Sequence, residues 1–236
     1  THPWRNPAEE SIGLYPGLTL LDVIGPYQVL SLVPGHEVVL CAEHTGALSD
    51  DNGLVTMDVA HTFDDVPAPD VLLVGGGYAT RALATPDSAI VRWIRAAHPT
   101  TRFTTSVCTG SLLLGAAGLL DGLRANTHWH AVPVLESFGA TAVRDRVVIE
   151  GRIITAAGVS AGIDMALTLV DLLHGREMAE AIQLGIEYDP QPPFDSGAPW
   201  KASPAIVELV TAVMAAADGL EPVTGDDAAG HAPDRT

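Results

Sequence analysis

The chain has 236 residues, 47% of them hydrophobic, and a formal net charge of -17; that length suits one α/β domain with a sizeable core. So acidic a balance argues against nucleic acid or an anionic membrane as partner. No apolar run reaches membrane-spanning length and no basic-then-apolar leader opens the chain. Cys41 and Cys108 make no disulfide framework, so a reducing cytoplasm is expected.

Residues 1–10 are a polar lead-in, and Ser11–Tyr15 (SIGLY) reads as a first strand ended by Pro16-Gly17. A helix is expected over Tyr27–Val33. Just ahead of it, Asp22 sits among Leu20, Leu21, Val23 and Ile24. Asp is a favoured helix cap and equally a catalytic acid, and the local sequence leaves both open. In apolar company its pKa should be raised, which suits proton transfer near neutrality. His36–Ala42 is a second strand with Cys41 in its core, Asp50–Gly53 a turn, and Leu54–Ala60 a β-segment at the sheet edge. Asp70–Val74 has the continuous apolar run of a strand buried on both faces, as parallel sheets require. It ends in Gly75-Gly76-Gly77. The dinucleotide fingerprint is absent there, and the glycines instead allow backbone N–H groups to approach a reacting atom.

Ile90, Trp93, Ile94 and Ala97 fall on one helical face. Phe103–Val107 then reads as a strand and Ser111–Leu120 as a buried helix, with only Cys108-Thr109-Gly110 between them. That is the spacing of a nucleophile elbow, with Ser106 and Gly110 as the small residues and Cys108 at the turn. A lone cysteine is commonly inert core. At a helix start, however, the macrodipole should stabilise its thiolate, and the free N–H groups could bind developing negative charge. Cys108 is therefore the expected nucleophile.

Downstream, Arg124–Trp129 is a strand candidate, and His128 and His130 are taken as structural, because no Cys or His spacing forms a metal pattern. A helix over Val132–Phe138 precedes a hairpin of 146–149 with 153–156. Ile163–Leu173 is apolar almost all round and should be buried in the core or at a subunit contact. Arg176–Tyr188 is a further helix, Asp189–Pro193 begins an extended arm, and Ser203-Pro204 starts a terminal helix reaching Ala217. Residues 218–236 mix acids with Gly, Pro and Ala, a composition expected to be disordered. Strands alternating with helices call for a mostly parallel sheet with helices on both faces, its site at the carboxyl ends of the strands. Asp22, the Gly75–Gly77 loop and Cys108 all fall at that edge.

These residues also carry a resemblance. LDVIGP at 21–26, VGGG at 74–77, SVCTGSLLLGAAGLL at 106–120, THW at 127–129, AGIDMALTL at 161–169 and IEYDPQPPFDSGAP at 186–199 are similar to the ThiJ/PfpI superfamily, and most to its isocyanide hydratase branch. The similarity spans residues 11 to 199, taken as one domain ahead of a 200–217 helix and the 218–236 tail. It implies a flavodoxin-like (class I glutamine amidotransferase-like) sandwich, a homodimer, and cofactor-free hydration of isocyanides to N-formamides. It also implies Cys108 as nucleophile, Asp22 as acid/base, Thr109 as a neighbouring active-site threonine, and the amides of Gly76, Gly77 and Thr109 as polar contacts. Peptidase members carry His directly after the cysteine, where this chain has Thr109, so a Cys–His pair is missing. Hydratases carry Pro-Gly-Gly where this chain has Gly75-Gly76-Gly77. Related regulators append a basic helix-turn-helix, for which the acidic 200–236 segment is too short and of the wrong charge. Two other readings stay open: a redox sensor with an oxidisable cysteine, and a glyoxalase or hydrolase.

Overall fold

A computed structural model describes residues 9–217; residues 1–8 of the expected 1–10 lead-in and the 218–236 tail lie outside the described residues, while Glu9 and Glu10 belong to the first strand. In chain order the elements are β1 (Glu9–Gly13), α1 (Leu20–Leu30), β2 (Glu37–Ala42), β3 (Gly46–Ser49), β4 (Thr56–Val59), β5 (His61–Thr62), β6 (Val71–Val74), α2 (Thr80–Leu83), α3 (Ala89–Ala97), β7 (Phe103–Val107), α4 (Gly110–Ala116), β8 (Arg124–Ala125), α5 (Val132–Ser137), β9 (Thr141–Ala142), β10 (Val147–Glu150), β11 (Ile153–Ala156), α6 (Ala161–His174), α7 (Arg176–Gly185) and α8 (Pro204–Ala217).

Seven strands make one sheet in the order β10-β11-β7-β6-β1-β2-β5. All neighbours run parallel except β10 against β11. With helices on both faces this is the flavodoxin-like architecture, and its central strands are as apolar as two covered faces demand: every residue of β6 is buried. Trp93, Ile94, Ile90 and Ala97 turn into the core from α3 as their spacing requires. Because β1, β6, β7 and β11 are parallel, the segments that leave them gather at one edge. β3 and β4 stand apart as an antiparallel ribbon joined by the Asp50–Gly53 turn.

Several boundaries differ from expectation. α1 starts at Leu20 and carries Pro26 within it. The proline offers no N–H to the carbonyl four residues back, that of Asp22, yet the helix runs through. The close crossing of α1 over α6 lies beside it: a Cβ on Gly162 would meet Pro26 and Val107 at 3.1 Å, and one on Gly25 would meet Ile163 at 3.1 Å. The strand expected over Arg124–Trp129 lasts two residues. Asn126 turns the chain out of it, its Oδ1 accepting the Thr127 N–H at 2.7 Å, and a 3-10 turn follows at Trp129–Ala131. α4 stops at Ala116, shortly before Gly118 at φ 79°. In space the domain expected over 11–199 divides at Gln191/Pro192, and the second unit carries the arm and α8. Within that unit Lys201 pairs with Asp195 at 2.7 Å.

Candidate active site

β7 passes into α4 through Cys108, whose φ of 56° is a conformation side chains seldom adopt. Its neighbours show how the turn is held. The Cys108 N–H donates to the carbonyls of Ala156, the last residue of β11, and Ala157, the next, at 3.2 and 2.9 Å. Its carbonyl accepts the hydroxyls of Ser111 and Thr127, each at 3.2 Å. Gly110 has to be glycine, since a Cβ there would lie 2.5 Å from the Val74 carbonyl.

Asp22 comes from the first turn of α1 and is fully buried. It is not the cap; Thr19 occupies that position. Its Oδ2 accepts the Gly76 N–H at 2.6 Å, whereas Oδ1 is buried with no hydrogen-bond partner. Burial pushes the carboxyl up to about 7, against the opposing effect of hydrogen bonds from Gly76 and from the Cys108 side chain. Acid and thiol thus meet, as expected of them. Tyr15, just beyond β1, is buried beneath the pair and donates its hydroxyl to the Gly75 carbonyl at 2.8 Å; burial and the nearby Asp22 and Cys108 raise its pKa.

The thiol corrects one expectation. Burial first, and the Asp22 charge second, raise its pKa instead of lowering it. The backbone N–H groups of Val159 and Thr109 and the Thr109 side chain act in the opposite direction. α4 is a short helix, and its dipole does not outweigh removal of the sulfur from water. Acid and thiol therefore form a coupled pair that holds one proton over a wide pH range.

Gly76 and Gly77 also differ from the role expected of them. Their amides face the protein: Gly76 holds Asp22, and the Gly77 N–H donates to Thr109 Oγ1 at 3.0 Å. A Cβ on Gly76 would meet the Thr109 N and Oγ1 at 2.6 Å and Asp22 Oδ2 at 2.9 Å. The loop therefore positions acid and threonine by close backbone approach, which only glycine permits. Sequence reasoning missed Tyr15 and Val159. The latter sits at φ 32° in the loop after β11 and aims its N–H at the cysteine; a valine gives no sign of either property.

The remaining candidates lie apart. Cys41 is core, its pKa pushed up to about 12 by burial. His128 accepts the His130 N–H on Nδ1 at 3.4 Å, and its ring fills the space beside Gly158. No group of three metal-ligating side chains occurs among the described residues. A cavity of about 560 Å³ beside Phe63, Arg92 and Trp93 shares no residue with the Asp22–Cys108 pair.

The DJ-1/PfpI family pattern matches residues 12–172. The chain is 44% identical over 195 residues to the isonitrile hydratase of Pseudomonas putida, covering 83% of this chain and 85% of the relative. It is 32% identical to the HTH-type transcriptional regulator CdhR of Pseudomonas aeruginosa, over 70% of this chain but only 51% of that protein. Among solved structures, a THiJ/PfpI family protein from Pseudomonas syringae superposes with a TM-score of 0.84 at 35% identity, covering 92% of this chain and 91% of the other. With two thirds of its length inside one family pattern, and an acid and a cysteine meeting at the sheet's carboxyl edge, this chain belongs to the DJ-1/PfpI family.

Proposed function

We propose that the protein hydrates isocyanides to N-formamides, with Cys108 as nucleophile at an elbow turn, Asp22 as proton carrier and Thr109 as a polar neighbour. The observation that carries the reading is the 44% identity, over most of both chains, to an isonitrile hydratase. The coupled Asp22–Cys108 pair gives it a chemical basis.

The pair starts with one proton, held by the Cys108 thiol beside the Asp22 carboxylate; Asp22 takes that proton as substrate binds, giving Asp22 acid and Cys108 thiolate. Sulfur bonds to the terminal carbon of R–N≡C while the Asp22 proton goes to that same carbon, giving the thioimidate R–N=CH–S–Cys108. Asp22, now a carboxylate, takes a proton from water as the hydroxide adds to the carbon, and passes that proton to nitrogen. The hydroxyl proton then returns to Asp22 as the C–S bond breaks. N-formamide leaves and the pair is restored. The unpartnered Oδ1 supports this role: an unsatisfied buried oxygen costs about 1–3 kcal/mol, a cost acceptable where a proton must be presented to a bound molecule.

The reading includes a homodimer. On α1, Leu21, Ile24 and Tyr27 are exposed, and Leu172 is exposed on the neighbouring α6, an apolar surface of the kind subunit contacts cover. A cysteine that must stay reduced suits the cytoplasm; no described helix is long and apolar enough to cross a membrane.

The test is direct. Incubation with a small aryl or alkyl isocyanide should release the formamide catalytically, and acid quenching should trap a substrate adduct on the Cys108 peptide. A protein without isocyanide turnover whose Cys108 is readily oxidised by peroxide would be a sensor instead.

A further inference from the structure

Thr19 is the N-cap of α1, in an extended conformation with φ -78° and ψ 115°, and threonine there normally turns its oxygen onto the first-turn N–H groups. Here it does not cap. Its hydroxyl donates to Asp51 Oδ2 at 2.8 Å. The other Asp51 oxygen accepts the Asn52 side-chain amide at 2.9 Å, so the carboxylate is fixed on the turn between β3 and β4. Threonine at this position commonly stabilises its helix through that bond, and Thr19 forgoes it.

The Thr19 N–H donates to the Gly76 carbonyl at 2.8 Å, and its carbonyl accepts the Asp22 N–H at 3.1 Å. Gly76 in turn holds Asp22 Oδ2 through its own N–H. Thr19 is thus bonded to both partners that place the acid. The ribbon is stitched to the same segment by Gly17 N–H to the Ser49 carbonyl at 3.1 Å and Asp51 N–H to the Leu18 carbonyl at 2.9 Å. Asp50 makes the turn rigid, its Oδ1 accepting the N–H groups of Leu54 and Val55 at 3.0 and 3.1 Å. An antiparallel ribbon outside the main sheet is in this way anchored at the catalytic edge.

We propose that Asp51 is a positioning residue for the Asp22–Cys108 pair, acting through Thr19 on the first turn of α1 and through its negative charge on the proton that the pair shares. The groups that bear on Asp22 are Cys108 after β7, Tyr15 after β1, the Gly76 amide after β6, and Asp51 on the ribbon turn. Of these, Asp51 is the carboxylate of fixed position, and it opposes ionisation of Asp22. The inference rests on Asp22 and Cys108 being a proton-sharing pair, and it does not depend on the identity of the substrate.

Two substitutions separate the parts. Asp51→Asn removes the charge but keeps an oxygen for the Thr19 hydroxyl. Thr19→Val keeps the charge but releases the carboxylate from its tether. Iodoacetamide labelling of Cys108, followed by peptide mass across pH 5–9, reports the loss of one proton from the pair. In the wild type its midpoint should lie near 7, the value to which burial raises Asp22. Asp51→Asn should lower that midpoint by about 0.5 pH unit, and Thr19→Val should lower it by less. Midpoints unchanged in both variants overturn the proposal, even if their melting temperatures fall. Should Asp51→Asn not fold, the Thr19→Val midpoint decides alone. Labelling needs no isocyanide, so a wild type without isocyanide turnover would remove the proposed function and leave this test standing.

Discussion

At Asp22 the proposed activity and the stability of the fold pull in opposite directions. The Asp22 carboxyl is raised from an ordinary 3.8 to about 7 by burial. The thiol stays protonated to higher pH, so the pair reaches its one-proton form only as pH rises through about 7. Turnover should therefore rise with pH through that value, and kcat/KM measured from pH 5 to 9 should show the acid limb there. A flat profile across pH 6–8 would separate Asp22 from the rate. For stability the sign is opposite. A raised carboxyl makes the folded state hold a proton that the unfolded chain has lost. Its contribution is fully present below about 3.8 and is lost as pH rises through about 7. Asp22→Asn should accordingly be more stable than wild type at pH 8, by about 1–3 kcal/mol, with the gain shrinking toward pH 4. Glu10, raised to about 8 by burial, adds a loss of the same sign to both proteins, so only their difference reports Asp22. Melting temperatures at the two pH values check this, and an equal difference at both would contradict it.

At the scale of elements, the site is a meeting of backbone segments as much as of side chains. A methyl group on Gly76 would occupy the space of the Thr109 amide, the Thr109 hydroxyl and Asp22 Oδ2. Gly76→Ala should remain folded at a cost of about 1–3 kcal/mol and lose at least 100-fold in turnover, since displacing the acid by 1 Å is enough for that. Turnover within threefold of wild type would show that the close approach is unimportant. What sequence revealed here follows from range. The uninterrupted apolar run of β6 and the 3.6-residue repeat of α3 are local signals, and both elements formed where those signals lay. The turn at Cys108 was legible because a strand and a helix adjoin there with only Cys108 and Thr109 between them. The beginning of α1 was not, because Pro26 looks like a stop, and only its crossing with α6 shows how the helix accommodates it. Val159 and Asp51 reach the site through a backbone amide and a docked ribbon, neither of which leaves a periodic trace in the chain. The raised thiol was missed for a related reason: helix position is local, whereas burial is a property of the whole core.

For the whole molecule, the apolar character of Ile163–Leu173 divides between two surroundings. Met165, Ala166, Leu169 and Val170 enter the core, while Ile163 and Leu167 stay half-buried and Leu172 is exposed, beside the outward Leu21, Ile24 and Tyr27 of α1. Cover by a second copy is the expected outcome, and light scattering at micromolar concentration should give twice the chain mass of 24.6 kDa. A stable monomer would contradict it, as would an unchanged dimer after Tyr27→Glu and Leu172→Glu together. The central claim is that acid and thiol act as one unit on an isocyanide. It is tested most directly by formamide production from a small isocyanide by wild type, Cys108→Ala, Asp22→Asn and the double variant. Each single variant should lose several orders of magnitude, and the double variant should be little worse than either, because groups that act together are not additive. An Asp22→Asn variant with near-normal turnover, or losses that multiply in the double variant, would contradict the claim.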